Sequence, residues 1–437
     1  MNNTIGIRHE DKYAMERRVA IPPQHTRRLI EKHNLNILVE KSAKRVFTDE
    51  EYRKAGAKVV DELKEAPVIF GVKEMPEHFF EQDKTYVFFS HVIKGQTYNM
   101  PMLRKMMDKR CNLIDYERIV EESGKRIIFF GHYAGVAGMI NSLWSFGQRL
   151  RVQGVETPFQ KLMQAHKYDS LAEAKQAISE AGFEIVRNGL PDGIDPMVVG
   201  ITGYGNVSKG AQEILSLLPV KEISPQELLE LKKQNNLPSN VLYKVVFKEK
   251  DLVKPINPSD EFVLQDYYEN PQKYQNDFEQ YIPHLSILMN CMYWDDRYPR
   301  IVTKNYLEEL YSQGEPHLKV IGDVTCDPDG SIECTHMGTE IEDPVFVYDP
   351  LSRDYKMGFE GRGILDMAVD ILPSELPRES SESFGNALEK FVYSIATAIY
   401  ELDFEEVDLP SPIKKAMILH RGELTPDYTY LKEFLEA

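Results

Sequence analysis

The chain has 437 residues, 42% of them hydrophobic, which is material for two or three cores and carries no bias toward disorder or fibres. Its 52 basic against 69 acidic side chains, with no Lys/Arg-rich run, argue against a nucleic-acid backbone or an anionic membrane as partner, and no apolar run approaches membrane-spanning length. Four scattered cysteines, Cys111, Cys291, Cys326 and Cys334, lack CxxC spacing and are expected as free thiols; with no apolar signal segment in MNNTIGIRHEDK, the expected location is cytoplasmic.

TIGIRHE (Thr4 to Glu10) reads as a first strand, followed by a charged loop and the helix QHTRRLIEKHN, opened by Pro22-Pro23. LNILVE, the helical DEEYRKAGA, KVV, VIFGV, TYVFFS, the helix PMLRKMMDKR, NLIDYE and RIIFFG then alternate as a mostly parallel sheet flanked by helices requires. Two of these apolar runs end in proton-active side chains: VIFGV in Lys73 and TYVFFS in His91. Ligands of open α/β sheets bind beyond the carboxyl ends of strands, so Lys73 and His91 are expected in one crevice as an acid/base pair. Either alone reads as a surface lysine or a hydrogen-bonded loop histidine. His132, which also follows an apolar run, is a weaker rival for the same role.

AGVAGMINSLWSFGQRLRVQG is expected as a long linking helix, with Gly135 and Gly138 allowing close approach to another backbone, and SLAEAKQAISEAG as a second helix. A second α/β unit begins near Pro196. The segment 231–283 is polar, Tyr-rich and interrupted by five prolines, so it reads as an insertion outside the core. LSILMNCMYW and HLKVIGDVTCD read as further strands, and SFGNALEKFVYSIATAI and PIKKAMIL as amphipathic helices returning to the first domain. The expected fold class is α/β: two Rossmann-like, doubly wound parallel-sheet domains with a cleft between them. Residues 1–133 with 366–437 form a substrate and catalytic domain, and 134–365 form a dinucleotide-binding one.

The second unit opens on an apolar strand, then Gly203-Tyr204-Gly205-Asn206-Val207-Ser208-Lys209-Gly210, then a helix. In a dinucleotide fold Gly203 would make the tight turn and Gly205 would let backbone approach the pyrophosphate, with Asn206 and Val207 opening the helix that stabilises its charge. Ser208 stands where a third glycine is usual. Cofactor choice is placed at the end of a second strand, VKEIS, where Ser224 in place of a carboxylate admits a phosphorylated ribose, with Lys221 nearby, and so favours NADP(H) over NAD(H). Glu222 is the counterargument if that strand ends two residues earlier. Arg18, beside Glu16 and a surface Arg17, is placed to grip a substrate carboxylate. Asp323 ends an apolar run and is expected on the ribose or the nicotinamide amide, while Trp294, Asp295 and Asp296 line the crevice or the core. No metal is expected: Asp323, Asp327, Asp329 and Glu333 lack EF-hand spacing, and Cys326, Cys334 and His336 give only three soft ligands.

IGIRHEDKYAMERRVAIPPQH, FGVKEMP, FFSHVIKG, LIDYE, FFGHYAGVAGMI, TGYGNVSKGAQ, GDVTCDPDGSIE and LPSELPRESSESFG together resemble the lysine-ketoglutarate reductase family, from Ile5 to about Leu431. The chain is more distantly similar to lysine-forming saccharopine dehydrogenase, alanine dehydrogenase and the soluble part of transhydrogenase. The resemblance implies reductive condensation of L-lysine with 2-oxoglutarate by NADPH to give saccharopine. It places catalytic roles on Lys73 and His91, substrate binding on Arg18, Glu74, Lys94, Glu117, Arg126 and Phe130, and cofactor contacts on Gly203, Gly205, Cys291, Met292 and Asp323. Lys73 is expected to have a depressed pKa from the like charges of His91, Arg18 and Lys94, moderated by Glu74 and Glu117. The glutamate-forming half of the animal and plant enzymes has no counterpart in the sequence, so its reaction would need a separate partner enzyme; a homo-oligomer is compatible with the sequence. Rival readings are the same fold using NAD in the saccharopine-oxidising direction or on a related amino acid, and a catalytically silent, nucleotide-bound sensor or assembly module.

Overall fold

The structure is a computed structural model that describes residues 2–231, 233 and 237–435; residues 232 and 234–236 of the expected 231–283 insertion lie outside the described residues. The chain forms two compact units, Met1–Phe130 with Pro377–Ala437, and Gly131–Leu376. Residues 366–376 therefore belong to the second unit and not the first, because a strand of the second sheet runs through Ile364–Met367.

The first unit opens with β1 (Thr4–Ile7), α1 (Pro23–His33), β2 (Asn36–Glu40), α2 (Asp49–Lys54), β3 (Lys58–Val60), β4 (Val68–Phe70), β5 (Thr85–Phe88), α3 (Met100–Asp108) and β6 (Asn112–Asp115). Pro22 precedes α1 and Pro23 is its first residue, where a missing N–H costs nothing; Asn34 ends it in the left-handed region at φ 51°. Thr48 and Glu51 close a capping box on α2.

In the second unit α4 (Gly131–Val152) and α5 (Leu171–Asn188) lead into β7 (Val198–Thr202), α6 (Asn206–Leu215), β8 (Val220–Glu222), α7 (Pro225–Leu231) and β9 (Leu242–Phe247). There follow α8 (Glu249–Leu252), β10 (Val253–Pro255), α9 (Leu264–Glu269), β11 (Tyr274–Asn276), β12 (Ile287–Asn290), α10 (Lys304–Ser312), β13 (Val320–Asp323), β14 (Val345–Asp349), β15 (Asp354–Met357) and β16 (Ile364–Met367). Its main sheet has the order β15-β14-β16-β13-β12-β7-β9-β8. The chain winds from β7 toward β9 and β8 on one side and toward β12, β13 and β16 on the other, all in parallel pairs.

The reading of 231–283 as an insertion is corrected here. β9 lies inside the sheet between β7 and β8, and Tyr267, Tyr274, Phe278 and Tyr281 are buried in the same core. Helix α4 is packed within the second unit. A Cβ at its Gly135 would overlap the Val207 carbonyl of α6, and one at Gly210 of α6 would overlap the His132 carbonyl. Glycine on each helix thus faces backbone on the other. Gly138, by contrast, meets the side chain of Val324.

The chain then returns to the first unit with α11 (Pro377–Thr397), β17 (Met417–His420) and β18 (Glu423–Leu424), completing a sheet of order β18-β17-β6-β5-β4-β1-β2-β3. Two expectations change. RIIFFG is not a strand; it contributes only an isolated bridge, Val120 to Arg126, and the edge of β6 is taken by β17 running antiparallel. In PIKKAMIL only Pro412 to Lys415 are helical, within the helix Ser411–Lys415, and Met417 to Leu419 lie in β17. Among the described residues no helix is long and apolar enough to cross a membrane.

Candidate functional site

In each unit the winding direction reverses beside its first strand, and the chemistry gathers at those two switch points. In the first unit the reversal lies between β1 and β4. The loop after β1 carries Glu10, Lys12, Glu16 and Arg18, and the turn after β4 carries Lys73 and Glu74.

Glu74 is the hub of the cluster. Its Oε1 receives the Lys12 ammonium at 2.6 Å and His91 Nδ1 at 2.7 Å, while its buried Oε2 has no hydrogen-bond partner among the described residues. Burial opposes ionisation, but the hydrogen bond and charge of His91 and then those of Lys12 hold the carboxyl down at about 2. His91 sits in the left-handed region at φ 48°, a conformation that costs a non-glycine residue of order 1 kcal/mol. The Asn99 amide steadies this turn by donating to the carbonyls of Ser90 at 3.1 Å and His91 at 3.2 Å.

Sequence reasoning missed Glu10 and Lys12. Glu10 is buried and takes the backbone N–H of Val72 at 2.7 Å and of Lys73 at 2.9 Å, one on each oxygen, so it fixes the turn that presents Lys73. Burial pushes its carboxyl up to about 7 in spite of Arg8. Both residues sit in a run of charges in which nothing in the sequence separates an inward side chain from a solvated one. Lys73 lies 5.7 Å from the Tyr13 ring centroid, and its charge helps to lower Glu16.

Arg18 was expected to be available to a carboxylate. Instead Glu16 takes its Nε at 2.8 Å and its Nη2 at 2.5 Å in a buried pair. Burial raises the Glu16 carboxyl, and the adjacent Arg18 more than compensates and keeps it below its ordinary range. The Arg18 guanidinium also lies 4.2 Å above the Phe130 ring, which stacks at 4.5 Å on Phe384. Phe89 joins this cluster to His91, with ring centroids 6.1 Å from Phe130 and 6.2 Å from His91. Glu117 pairs with Arg126, and its N–H is held at 2.7 Å by Asp115, which also accepts from Ser90 beside His91. Lys94 is exposed on the turn after His91. His132 lies in the second unit, paired with Glu213 at 3.0 Å.

In the second unit the reversal lies between β7 and β12, and a cleft of about 410 Å³ opens there. Gly203, Gly205, Cys291 and Met292 line it, together with Glu249 and five tyrosines, Tyr204, Tyr267, Tyr268, Tyr293 and Tyr298. Gly203 has φ +80°, and a Cβ there would stand 3.1 Å from the Cys291 carbonyl; around Gly205 there is open space. Among the described residues no side chain caps α6, so the first-turn N–H groups of Asn206 and Val207 remain for an anion. This cradle fits the pyrophosphate of a dinucleotide.

Two cofactor expectations are corrected. Ser224 does not line the cleft: its hydroxyl caps α7 by accepting from Glu227 N–H, and β8 is the sheet edge. The strand beside β7 is β9, and the residue that follows it into the cleft is Glu249, held by Tyr268 at 2.7 Å and Tyr204 at 3.3 Å. Asp323 likewise turns inward, 1% exposed, with its oxygens committed to Asn290, Thr335 and Cys326 N–H. Trp294 is buried and donates its ring N–H to the Tyr298 and Pro299 carbonyls.

Residues 6–137 match the family described as Alanine dehydrogenase/PNT, N-terminal domain. The chain is 40% identical over 445 residues to alpha-aminoadipic semialdehyde synthase of Arabidopsis thaliana, covering 98% of this chain and 41% of that protein. It is 27% identical to saccharopine dehydrogenase [NAD(+), L-lysine-forming] of Emericella nidulans over 89% of this chain and 90% of the relative. Among solved structures an L-alanine dehydrogenase superposes with a TM-score of 0.62 at 18% identity, covering 99% of both chains, a likeness of fold. The chain spans less than half the length of the semialdehyde synthases it matches. Residues 6–137 thus resemble an alanine dehydrogenase/PNT N-terminal domain, and over nearly its whole length the chain is similar to one part of the alpha-aminoadipic semialdehyde synthases.

Proposed function

We propose that the chain is a nicotinamide-dependent oxidoreductase of lysine degradation that condenses L-lysine with 2-oxoglutarate and reduces the product to saccharopine. The observation that carries this is the cluster at the first switch point, where the turn of Lys73 and the His91–Glu74 pair stands near the buried Arg18–Glu16 pair, whose Glu16 feels the charge of Lys73, on a chain similar to the semialdehyde synthases.

The ε-amine of lysine adds to the ketone carbon, water leaves, and the resulting imine is reduced to a secondary amine. Amine addition moves one proton to the carbonyl oxygen and dehydration needs a second, so an acid/base group must stand at that oxygen; Lys73 Nζ takes this role. Because Glu74 holds His91 Nδ1, the ring exchanges protons through Nε2, and His91 serves the nitrogen of the secondary amine. With Nε and Nη2 of Arg18 committed to Glu16, a substrate carboxylate meets its remaining N–H edge over Phe130. The dinucleotide, when bound at Gly203 and Gly205, supplies the hydride.

For the cofactor, Glu249 stands where a carboxylate receives the ribose diol and repels a 2′-phosphate, so the reading moves from NADP(H) to NAD(H). One observation favours NADP(H): Lys248, whose ammonium lies 5.8 Å from the Tyr204 ring centroid beside Glu249. The test is steady-state turnover of Lys73→Met. A loss of about 10²-fold or more in kcat with substrate binding retained is expected, and near-normal turnover removes Lys73 from the chemistry.

A further inference from the structure

At the carboxyl ends of the second unit's central strands, the polar side chains form one hydrogen-bonded chain in which every bond can be given a direction. The Cys291 N–H can only donate, and its acceptor is Thr202 Oγ1 at 3.2 Å. Thr202 passes its own proton to Asn290 Oδ1 at 2.9 Å. That orients the Asn290 amide, whose Nδ2 donates to Ser331 Oγ and to Asp323 Oδ1, each at 2.8 Å. Asp323 Oδ1 also receives the Cys326 N–H at 3.0 Å.

The far end of the chain does not balance with ionised carboxylates alone. Thr335 Oγ1 lies 2.7 Å from Asp323 Oδ2 and 2.8 Å from Asp366 Oδ2. A hydroxyl carries one proton. If both carboxyls were ionised, one of these contacts would set lone pair against lone pair, in an interior where Asp323 is 1% and Asp366 0% exposed. A second proton must therefore sit on one of the two acids. Asp323 already collects two N–H donors, whereas Asp366 Oδ1 has no hydrogen-bond partner among the described residues.

We infer that Asp366 is a neutral carboxylic acid that donates to Thr335, and that through Thr335 it is a positioning residue holding ionised Asp323 at the foot of the glycine turn. The chain runs from Asp366 to Cys291, whose carbonyl packs against Gly203 and which lines the cleft with Met292, so one stored proton fixes the cleft's floor. Among the described residues Asp366 is faced by Asp323 and by the thiols of Cys326 and Cys334, with Asp327 acting on Asp323, Asp327 and Asp370 on Cys326, and Lys304 on Cys334; burial raises both thiols, so they bring no charge at neutral pH. Burial raises both acids, Asp366 the further. The assignment of the proton stands on the hydrogen-bond count; only its bearing on cofactor rests on the reading of the cleft as a dinucleotide site.

The test uses the full chain with Asp366→Asn, whose amide donates to Thr335 without a titratable proton, and with Thr335→Val, which removes the bridge. The infrared difference spectrum of wild type minus Asp366→Asn should show the carbonyl stretch of one protonated carboxylic acid, and that component should be shifted in Thr335→Val. A group protonated only in the folded state makes folding less favourable as pH rises from its unfolded to its folded pKa. Asp366 should therefore add to the pH dependence seen in urea unfolding of wild type a fall of the folding constant of up to about tenfold per pH unit in that window, and the slope of Asp366→Asn should be shallower by that one proton. Asp366→Asn should bind NADH within about twofold of wild type and Asp366→Ala about tenfold more weakly, since only the first keeps the donor. An acid band unchanged in Asp366→Asn, or the same pH slope in both proteins, overturns the inference. Failure of wild type to bind NADH or NADPH overturns the dinucleotide reading instead, while the band and the slope still decide where the proton sits.

Discussion

Replacing Glu74 by Gln removes one charge from the hub of the first-unit cluster while leaving its Oε1 in place to accept from Lys12 and His91. The fall of the Glu74 carboxyl from an ordinary 4.5 to about 2 corresponds to about 3 kcal/mol of favourable interaction in the ionised state. Lys12 and His91 are 30% and 31% exposed, so solvent screening reduces the expected loss to about 2 kcal/mol. A carboxyl whose folded pKa is depressed contributes stability that is complete above its unfolded pKa and is lost as pH falls through the folded one. Wild type should therefore lose this increment between pH 4.5 and about 2, and Glu74→Gln should lack it at neutral pH and show a flatter acid limb. Urea unfolding across that range measures both. Equal neutral-pH stability together with an identical acid limb would refute the claim that Glu74 is ionised against Lys12 and His91.

Two further outcomes follow from the second-unit cleft. Gly205→Ala has open space for its methyl group and an ordinary φ of −75°, so its thermal unfolding midpoint should not change, yet the methyl stands where the pyrophosphate approaches. Dinucleotide affinity, read by NADH fluorescence titration, should fall by about tenfold or more. Glu249→Gln removes the carboxylate held by Tyr268 and Tyr204, and the ratio of kcat/KM for NADH over NADPH should fall by about tenfold; an unchanged ratio takes Glu249 out of cofactor selection.

Both switch points were legible in the sequence wherever local pattern decides structure. β1 to β6 are short β-branched and aromatic runs between turn residues, and Lys73 and His91 follow two of them. β7, Gly203 and α6 could be read as strand, turn and helix for the same reason. What failed was non-local. RIIFFG has strand composition, but β6 is paired by β17, which lies some 300 residues further along the chain. β9 carries Lys244 among its apolar residues and lies in a stretch rich in prolines and tyrosines, so its place beside β7 could not be seen, and with it the role proposed for Glu249 was assigned to Ser224. The buried charges of Glu10, Glu16 and Asp323 were hidden because a sequence does not show which acids a fold encloses.

The central claim is the condensation itself, and its most direct test is mass spectrometry of the products after incubating the chain with L-lysine, 2-oxoglutarate and NADH or NADPH. Saccharopine, formed only when both substrates and a reduced dinucleotide are present and abolished by Lys73→Met, is the expected result. Tight dinucleotide binding with no saccharopine under any of these conditions would contradict the account and return the chain to a nucleotide-bound module without this chemistry.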